Sequence, residues 1–268
     1  MPFHNSLSPI AFAVGPLSVR WYGLGFAFAF LAGEWLVRTM LVREKLATID
    51  TGRLVLFALL GTIVGARLVH CAFYDPVYYL DHPWKILAVW EGGLASHGGV
   101  LGLVLGLAVA LRGQPAGTLM LLLDRITVPA ALGGAIVRLA NFANSEIVGI
   151  PTNSAFGIVF DAVDTVARHP VQLYEAAAYL VLGAGLLALY GWTSVRLRRG
   201  LLTGLFLVGI FSARLMLEPF KVAQAAYESG YWVSVGQSLS IPFLLVGLVL
   251  VARALLRDKT VAVPAVTA

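Results

Sequence analysis

Long apolar stretches dominate this sequence and limit the folds open to it. The hydrocarbon core of a bilayer requires about 20 consecutive apolar residues for each spanning helix. Seven stretches of about that length follow one another, at residues 18–38, 52–72, 94–112, 118–138, 171–192, 200–218 and 237–256. Of the 268 residues, 59% are hydrophobic and only 12% are charged, whereas soluble domains have about 25% charged residues. The sequence therefore predicts an all-α, polytopic membrane protein with about seven transmembrane helices.

The basic residues are unevenly distributed between the loops. Lys and Arg in short loops mark the cytoplasmic side of a membrane protein. Here they fall in alternate loops and in the tail, at Arg38, Arg43, Lys45, Arg53, Arg112, Arg196, Arg198, Arg199, Arg253, Arg257 and Lys259. This pattern predicts an N-terminus outside and a C-terminus in the cytoplasm. The net charge of +5 then reflects topology and attraction to anionic membrane lipid, and we expect no nucleic-acid partner.

No linker divides the chain, so we predict a single transmembrane domain over residues 1–256. The tail, residues 257–268, is expected to be cytoplasmic and disordered, as chain ends of this composition often are. The polar connection at 139–170 is longer than ordinary loops, and the charge rule places it outside as a small external head. A second external segment, 219–236, contains aromatic residues suited to a membrane interface. The N-terminus lacks the cationic start of a cleaved signal, and we expect it to be retained.

Small residues in the predicted spans point to packing rather than chemistry. Glycines four residues apart let helices approach closely in a membrane. They occur at Gly61 and Gly65 in one stretch and at Gly98, Gly102 and Gly106 in another. Cys71 is the only cysteine, which excludes an internal disulfide and a cysteine metal cluster. We expect Cys71 to be a buried apolar filler.

Ionisable side chains within the spans are candidates for function, because each costs about 2.5–3.5 kcal/mol at mid-bilayer. They are Arg67, His97, Asp124, Arg125, Arg138, Arg214 and Glu218. Arg214 and Glu218 are one helical turn apart and can pair. Asp124 and Arg125 are adjacent, so they point about 100° apart on a helix, and we expect a structural role for both. For Arg67 structure and function remain equally open.

The stretch VRLANFANSEIVG, residues 137–149, concentrates polar groups at the end of an apolar run. If the helix continues, Arg138, Asn141 and Ser145 share one face and Glu146 lies at its edge. A polar helix end at the interface explains one or two such residues, but hardly five within nine. Guanidinium is the preferred side chain for binding phosphate. The residues therefore predict a site that handles an anionic lipid phosphate from the outer leaflet.

His97 precedes Gly98 and Gly99 at an expected helix start. Without side chains there, backbone N–H groups would be approachable, and a helix N-terminus attracts anions. An imidazole also titrates near neutral pH and can act as an acid or a base. On its own, this histidine is equally compatible with a structural hydrogen bond.

Three other classes of function compete with this prediction. Intramembrane Arg and His also line the pathways of anion transporters and channels, but we find no inverted repeat of the kind typical of transporters. A protease is suggested by Ser96 beside His97, yet neighbours on a helix point apart, and neither G-x-S-x-G nor H-E-x-x-H occurs. A purely structural scaffold would leave the polar groups of 138–149 unexplained.

The stretch VRLANFANSEIVG resembles the signature of the bacterial prolipoprotein diacylglyceryl transferases, Gly-Arg-x-Gly-Asn-Phe-x-Asn-x-Glu followed shortly by Gly. Further stretches resemble the same family in the same order. They are RWYGLGF at 20–26, GARLVHCAFYDP at 65–76, WEGGLASHGGVLG at 90–102, RHPVQLYE at 168–175, ARLMLEPFK at 213–221 and VGQSLSIPF at 235–243. The resemblance covers residues 18 to about 255, and ordered motifs are more specific than any one alone.

The resemblance implies an enzyme of the bacterial plasma membrane, active toward the outer leaflet. It would move the diacylglyceryl group of phosphatidylglycerol to the thiol of the lipobox cysteine in a prolipoprotein, leaving a thioether and glycerol phosphate. No metal and no cofactor is expected.

The resemblance also implies roles for individual residues. The catalytic candidates are His97, Arg138 and Arg214: the two arginines for holding the phosphate, and His97 for accepting the thiol proton or positioning the head group. The other candidates for binding phosphatidylglycerol are Tyr22, Gly98, Gly99, Asn141, Glu146, Gly149 and Glu218, with Glu218 orienting Arg214.

The chain departs from the family pattern at four positions. Val137 and Ala140 replace the glycines flanking Arg138, which makes the backbone there less permissive. Ile210 stands where many members have a tyrosine, so a mechanism with that tyrosine as base cannot operate, and more weight falls on His97. Ile150 stands where a basic residue often follows the glycine.

Overall fold

A computed structural model describes residues 3–15, 17–46, 49–222 and 235–256. Its helices are α1 Trp21–Arg43, α2 Thr51–Phe73, α3 Pro76–Asp81, α4 Ser96–Ala110, α5 Thr118–Ala143, α6 Val171–Gly191, α7 Thr193–Arg196, α8 Leu201–Leu217 and α9 Val235–Leu256. Short 3-10 helices occupy Pro83–Leu87, Val89–Glu91 and Glu218–Phe220. Each predicted apolar stretch coincides with a helix. The predicted tail and residues 223–234 of the second external segment lie outside the described residues.

Within the described residues, five helical segments are long and apolar enough to cross a membrane. They are Trp21–Arg43, Thr51–Phe73, Thr118–Ala143, Val171–Gly191 and Leu201–Phe220. Two further apolar helical segments are shorter, His97–Ala110 and Ser240–Leu256. The chain is thus a predominantly helical protein with several helices of membrane-spanning length.

The prediction of an all-α fold is incomplete, because five short strands accompany the helices. They are β1 Phe3–Asn5, β2 Ile10–Val14, β3 Leu17–Arg20, β4 Ile158–Phe160 and β5 Ala167–Arg168. Strands β2 and β3 form an antiparallel pair. In the other sheet, β4 lies between a parallel β1 and an antiparallel β5. Strands of two to five residues show too little alternation to be predicted from a single sequence.

The polar connection predicted at 139–170 begins later than expected, because α5 continues to Ala143. The connection contains β4 and β5, and β1 adds the N-terminal segment to the same sheet. Asn5, which is buried, donates from its amide to the Phe142 carbonyl at 2.8 Å and to Ser145 Oγ at 3.4 Å. The N-terminal strand is thereby attached to the end of α5, where the candidate site begins.

The contacts divide the chain into two compact units, which are described separately. One unit comprises Val37–Leu122, and the other comprises Met1–Leu36 and Leu123–Val263. The first contains α2, α3 and α4, and the second contains α6, α8, α9 and the strands. We call them the α2–α4 unit and the head unit.

Glycines bring α2 and α4 into backbone contact. A Cβ added to Gly61 would lie 2.2 Å from the Gly102 carbonyl oxygen, and one added to Gly65 would lie 2.3 Å from the Gly98 oxygen. Real Cβ atoms do not approach so closely, so these positions require glycine. The prediction that these glycines serve helix packing is confirmed, and Cys71 is buried as expected.

Arg67 of α2 is a structural anchor, which answers the question that the sequence left open. Its side chain is 3% exposed. Its guanidinium donates to four backbone carbonyls of the segment between α3 and α4, those of Lys85, Ile86, Gly92 and Gly93. A charged group whose donors are taken up by main-chain oxygens fixes a loop and has little capacity left for a ligand.

The predicted structural role of Asp124 and Arg125 is confirmed in the head unit. The Asp124 carboxylate accepts hydrogen bonds from the Gly200 N–H at 2.7 Å and the Thr203 N–H at 2.8 Å. Backbone N–H groups at a helix start have no partner within the helix, so this carboxylate caps α8. Arg125, also buried, donates to the Arg196 carbonyl at 3.2 Å.

Candidate active site

Arg138 lies near the end of α5 and is held by two neighbours in the head unit. Its Nε is 3.0 Å from Glu175 Oε2, and its Nη1 donates to Asn141 Oδ1 at 3.2 Å. Asn141 is one helical turn further along α5, and Glu175 is close to the start of α6. The guanidinium is therefore fixed at two points, by one group from its own helix and one from the next.

Glu146 continues this network beyond the helix. Its carboxylate accepts from Asn141 Nδ2 at 2.8 Å and from Asn144 Nδ2 at 3.2 Å. The condition for Ser145 to share a helical face with Arg138, that the helix continues, is not met, because α5 ends at Ala143. Ser145 and Ile147 have left-handed backbones, with φ of 55° and 54°.

Left-handed conformations are unfavourable for residues with side chains, and most of all for β-branched ones. Strained residues of this kind concentrate at functional sites, where the surrounding structure holds them in place. Here Ser145 and Ile147 flank Glu146, whose carboxylate contacts Asn141. The turn thereby directs the Glu146 carboxylate back toward the end of α5.

Glu175 and Lys221 belong to the site but were not predicted. The Glu175 side chain is fully buried, with one carboxylate oxygen 3.0 Å from Arg138 Nε and the other 3.0 Å from Lys221 Nζ. Lys221 Nζ also lies 2.9 Å from Glu218 Oε2. Glu175 falls within the predicted span 171–192, so the test that singled out Arg67, an ionisable group inside a span, would have found it too.

Two tyrosines complete the surroundings of the arginines. Tyr22 of α1 interacts electrostatically with Arg138 and Glu146. Tyr179 of α6 interacts with Arg138, Glu175 and Arg214, which brings α8 into the same site. Each arginine thus interacts electrostatically with a tyrosine, although the position where family members often have a tyrosine is Ile210 here. Ile210 packs against the hydrophobic cluster to which Tyr179 belongs.

Arg214 differs from Arg138 in how its guanidinium is satisfied. Its Nε is buried and has no hydrogen-bond partner among the residues that the structure describes. Buried polar groups normally find a partner, and each exception needs an explanation, of which a ligand is one. The predicted orientation of Arg214 by Glu218 stays a prediction, and the Glu218 contact described here is the one to Lys221.

Gly149 joins two chain segments next to this network. Its N–H donates to the His169 carbonyl at 3.1 Å, and the N–H of Ile150 donates to the Phe220 carbonyl at 2.9 Å. A Cβ at Gly149 would lie 2.3 Å from the His169 oxygen. Any larger residue would push apart the segments that lead to Glu175 and Lys221, so the structure gives Gly149 a packing role beside the predicted one in head-group binding.

We call these residues of the head unit the Arg138 cluster: Tyr22, Arg138, Asn141, Glu146, Glu175, Tyr179, Arg214, Glu218 and Lys221. The three arginine and lysine side chains are matched by three carboxylates. Six of the nine were predicted from the sequence, and Glu175, Tyr179 and Lys221 were not.

The remaining predicted residues, His97, Gly98 and Gly99, lie at the start of α4 in the α2–α4 unit. The expectation of approachable N–H groups is wrong for Gly99, whose N–H donates to the Ala95 carbonyl at 3.0 Å. Gly98 is packed against α2, where an added Cβ would lie 2.3 Å from the Gly65 oxygen. Helix packing therefore explains Gly98, whereas a Cβ added at Gly99 would lie 3.4 Å or more from its neighbours, at ordinary contact distance.

Helices of membrane-spanning length and a buried network of arginines and carboxylates at their ends define a helical membrane protein with a charged site. The sequence profile of the prolipoprotein diacylglyceryl transferases matches residues 9–253. The chain belongs to this family.

Individual relatives cover nearly the whole chain. A phosphatidylglycerol–prolipoprotein diacylglyceryl transferase of Tolumonas auensis is 47% identical over 250 residues, 93% of this chain and 96% of its own length. Proteins of the same name from Chloroherpeton thalassium and Porphyromonas gingivalis are 47% and 39% identical, over 91% and 92% of this chain and equal shares of their own. The chain is therefore similar to these transferases throughout, and not in a single motif.

Proposed function

We propose that this protein is a transferase that moves the diacylglyceryl group of phosphatidylglycerol to the lipobox cysteine of prolipoproteins, the first step of lipoprotein maturation. The observation that supports it best is the family match over residues 9–253, together with relatives of this name that match over more than nine-tenths of their own length. The alternative of an anion transporter or channel finds no support in these comparisons.

The reaction sets clear demands on the site. The substrate thiol loses its proton, because the thiolate is the attacking species. Its sulfur forms a bond to a carbon of the diacylglyceryl group while the bond from that carbon to the phosphate oxygen breaks. Negative charge accumulates on the departing glycerol phosphate, so fixed positive groups at that position lower the barrier.

The Arg138 cluster meets the demand for fixed positive charge. Arg138 is held at Nε and Nη1, and Arg214 has a buried Nε without a hydrogen-bond partner among the described residues. We assign the phosphate to these two guanidinium groups. Asn141, Glu146, Gly149, Glu218 and Tyr22 would shape the head-group site around them.

His97 is proposed as the group that accepts the thiol proton or positions the head group, with Gly98 and Gly99 beside it. Its substitution by glutamine tests the proposal, because an amide preserves much of the hydrogen bonding but cannot titrate. Activity retained in His97→Gln would assign it to positioning, and loss of turnover with unchanged binding of phosphatidylglycerol would support the role of base.

The membrane arrangement is part of the same proposal. We place seven spans in the plasma membrane of a bacterium. The N-terminus and the polar connection of residues 139–170 would lie outside, and the C-terminus would lie in the cytoplasm. Residues 1–256 would act as one transmembrane catalytic domain. The lipid would enter laterally from the outer leaflet, and the lipobox segment would approach from outside.

The direct test is transfer by purified protein in lipid vesicles. Radiolabelled phosphatidylglycerol is supplied with a synthetic lipobox peptide or with the same peptide carrying Ser in place of Cys. Label on the Cys peptide alone, with release of glycerol phosphate, is the expected result. No transfer by folded protein would overturn the proposal, and anion flux into the same vesicles would then be measured.

A further inference from the structure

Glu175 is a fully buried carboxylate placed between two cations. Its oxygens lie 3.0 Å from Arg138 Nε and 3.0 Å from Lys221 Nζ. Neither contact has the directionality of a hydrogen bond, and neither oxygen has a hydrogen-bond partner among the described residues. The attraction is therefore mainly electrostatic, and one carboxylate connects cations from α5 and from the segment after α8.

Stability alone is a weak reason for such an arrangement. Removing ions from water costs several kcal/mol each, and buried ion pairs replaced by apolar groups are often neutral or stabilising. By the same principle, apolar side chains in place of all three charged residues, Arg138, Glu175 and Lys221, could fill this volume without that cost. What an apolar residue cannot do is fix the orientation of a guanidinium.

The geometry at Arg138 shows what is fixed. A guanidinium is planar and has five N–H donors. Glu175 lies at Nε and Asn141 at Nη1, so the guanidinium is held at two of its three nitrogens, by charge at one and by a hydrogen bond at the other. Asn141 takes up one N–H of Nη1, and donors of the same guanidinium remain for Tyr179 and for a ligand.

Lys221 supplies the second positive charge that Glu175 requires. Its Nζ lies between Glu175 and Glu218, at 3.0 Å and 2.9 Å, and its side chain is 9% exposed. Backbone pairing of Lys221 with Gly149 holds the lysine in register. With Lys221 present, the negative charge of Glu175 stays compensated when the positive charge of Arg138 is directed toward an anionic phosphate.

We propose that Glu175 is a positioning residue which, balanced by Lys221, orients the Arg138 guanidinium toward the phosphate of phosphatidylglycerol. This inference rests on the proposed function, since it assigns a purpose to Glu175 within that reaction. It adds a residue and a counter-ion to those expected from the sequence.

Two substitutions separate positioning from simple charge balance. Glu175→Gln removes the charge, whereas Glu175→Asp keeps the charge but withdraws the carboxylate by one methylene. We expect kcat/KM for phosphatidylglycerol to fall by about tenfold to hundredfold in both, because misplacing a catalytic group by about 1 Å has effects of that size. The melting temperature of Glu175→Asp in detergent should stay close to that of the parent. Asp161→Asn, in an exposed pair with His4, is the matched control and should transfer like the parent.

Lys221 gives an independent check of the same inference. Lys221→Arg keeps the positive charge and should retain most of the transfer rate, whereas Lys221→Met should behave like the Glu175 variants. Equal activity of Lys221→Met and parent would overturn the counter-ion role.

Full activity of Glu175→Asp, or of a folded Glu175→Gln, would overturn the positioning role. If Glu175→Gln does not fold, Glu175→Asp decides. Failure of the proposed function looks different, because the parent protein itself would then transfer nothing. In that event, calorimetric binding of short-chain phosphatidylglycerol to the parent and to Glu175→Asp still tests the inference. Binding weakened by about tenfold supports it, and equal or absent binding overturns it.

Discussion

A comparison of one arginine site from each unit shows how differently this chain uses the same side chain. In the α2–α4 unit, Arg67 donates to four main-chain carbonyls and holds a loop. In the head unit, Arg138 is held by the side chains Glu175 and Asn141. Arg214 beside it keeps a buried Nε without a hydrogen-bond partner among the described residues.

The difference shows that the type of partner decides whether an intramembrane arginine remains a candidate for function. The cost of placing charge in a membrane is the same in both units. Main-chain carbonyls take up donors permanently, whereas carboxylates orient a guanidinium and leave its remaining donors for a ligand. The comparison predicts loss of activity in one unit and loss of stability in the other.

The largest effect is expected on activity, from Arg214→Ala. The variant removes a group assigned to the departing phosphate, and loss of one such donor costs about 10²–10³ in rate. Because a full positive charge is lost, we expect a reduction of at least about 10³-fold in transfer to a lipobox peptide. Arg138→Ala should lower the transfer rate to a similar extent.

The control for these variants is their stability. Arg214 Nε has no hydrogen-bond partner among the described residues, so removing the side chain deprives no group of a bond to that nitrogen, and the melting temperature in detergent should change little. Folded Arg214→Ala with full transfer activity would remove the distinction between the two arginine sites.

Arg67→Met should reverse this pattern. Four carbonyls would lose a charged donor, and buried groups left without a partner cost about 1–3 kcal/mol each. Allowing for water reaching some of them, we expect the free energy of unfolding to fall by about 3 kcal/mol. Denaturation in mixed micelles measures it. A variant as stable as the parent would contradict the anchor role.

Much of the fold was predictable because a helix of membrane-spanning length is visible in the sequence as a run of about 20 apolar residues. Each apolar stretch predicted from the sequence became a helix, with ends displaced by a few residues. The short strands were missed, since β1 and β4 are three residues each and pair across more than 150 residues of sequence. Such pairing depends on the tertiary structure and leaves no local signal.

The candidate site was predictable only in part, for a different physical reason. Arg138, Asn141 and Glu146 are close in sequence, so their proximity follows from one helix and a turn. Glu175 and Lys221 join them from distant segments, and only folding brings them together. His97 lies in the other unit, and its assignment remains a prediction from the resemblance.

The next effect tests whether the α2–α4 unit owes its stability to close helix contact as well as to Arg67. In Gly102→Ala the new Cβ would lie 1.9 Å from the Gly61 carbonyl oxygen. Overpacking of this kind costs about 1–3 kcal/mol, and we expect about 2 kcal/mol in unfolding experiments. Gly185→Ala is the control, because no atom lies within 4 Å of its added Cβ. Equal stability of the two variants would contradict the packing role of Gly102.

A smaller loss is expected from Asp124→Ala, the cap of α8. Loss of a helix cap costs about 0.5–2 kcal/mol, and here the Gly200 and Thr203 N–H groups both lose their acceptor. We expect about 1.5 kcal/mol in unfolding, with the transfer rate per folded molecule unchanged. Thr203→Val removes only the hydroxyl donor to Asp124 and should cost less. A larger loss in Thr203→Val than in Asp124→Ala would contradict the capping role.

The smallest effect concerns a third kind of arginine, one that forms an ion pair with a partly exposed carboxylate and lowers the pKa of that carboxyl. Arg168 forms an ion pair with Asp164 and donates to the Gly149 carbonyl at 3.2 Å. Its hydrogen bonds lower the pKa of Asp164 below its usual value, which is about 3.9 in an unfolded chain. A carboxyl with a lowered pKa stabilises the folded state above that unfolded value, and this contribution disappears as the pH falls through the folded pKa.

Asp164→Asn should therefore melt slightly below the parent at pH 7. The difference should begin to shrink as the pH falls through the unfolded pKa of about 3.9, and it should vanish below the lowered pKa of the folded parent carboxyl, where that carboxyl becomes neutral too. Melting curves of both proteins between pH 7 and pH 3 measure this. High salt should shrink the difference at pH 7, because the pair is partly exposed and exposed charges are screened. A difference in melting temperature that grows toward low pH would mean that Asp164 stabilises the head unit through its neutral form. Arg168, like Arg67, would then act mainly by binding a backbone carbonyl, and its ion pair with Asp164 would contribute little.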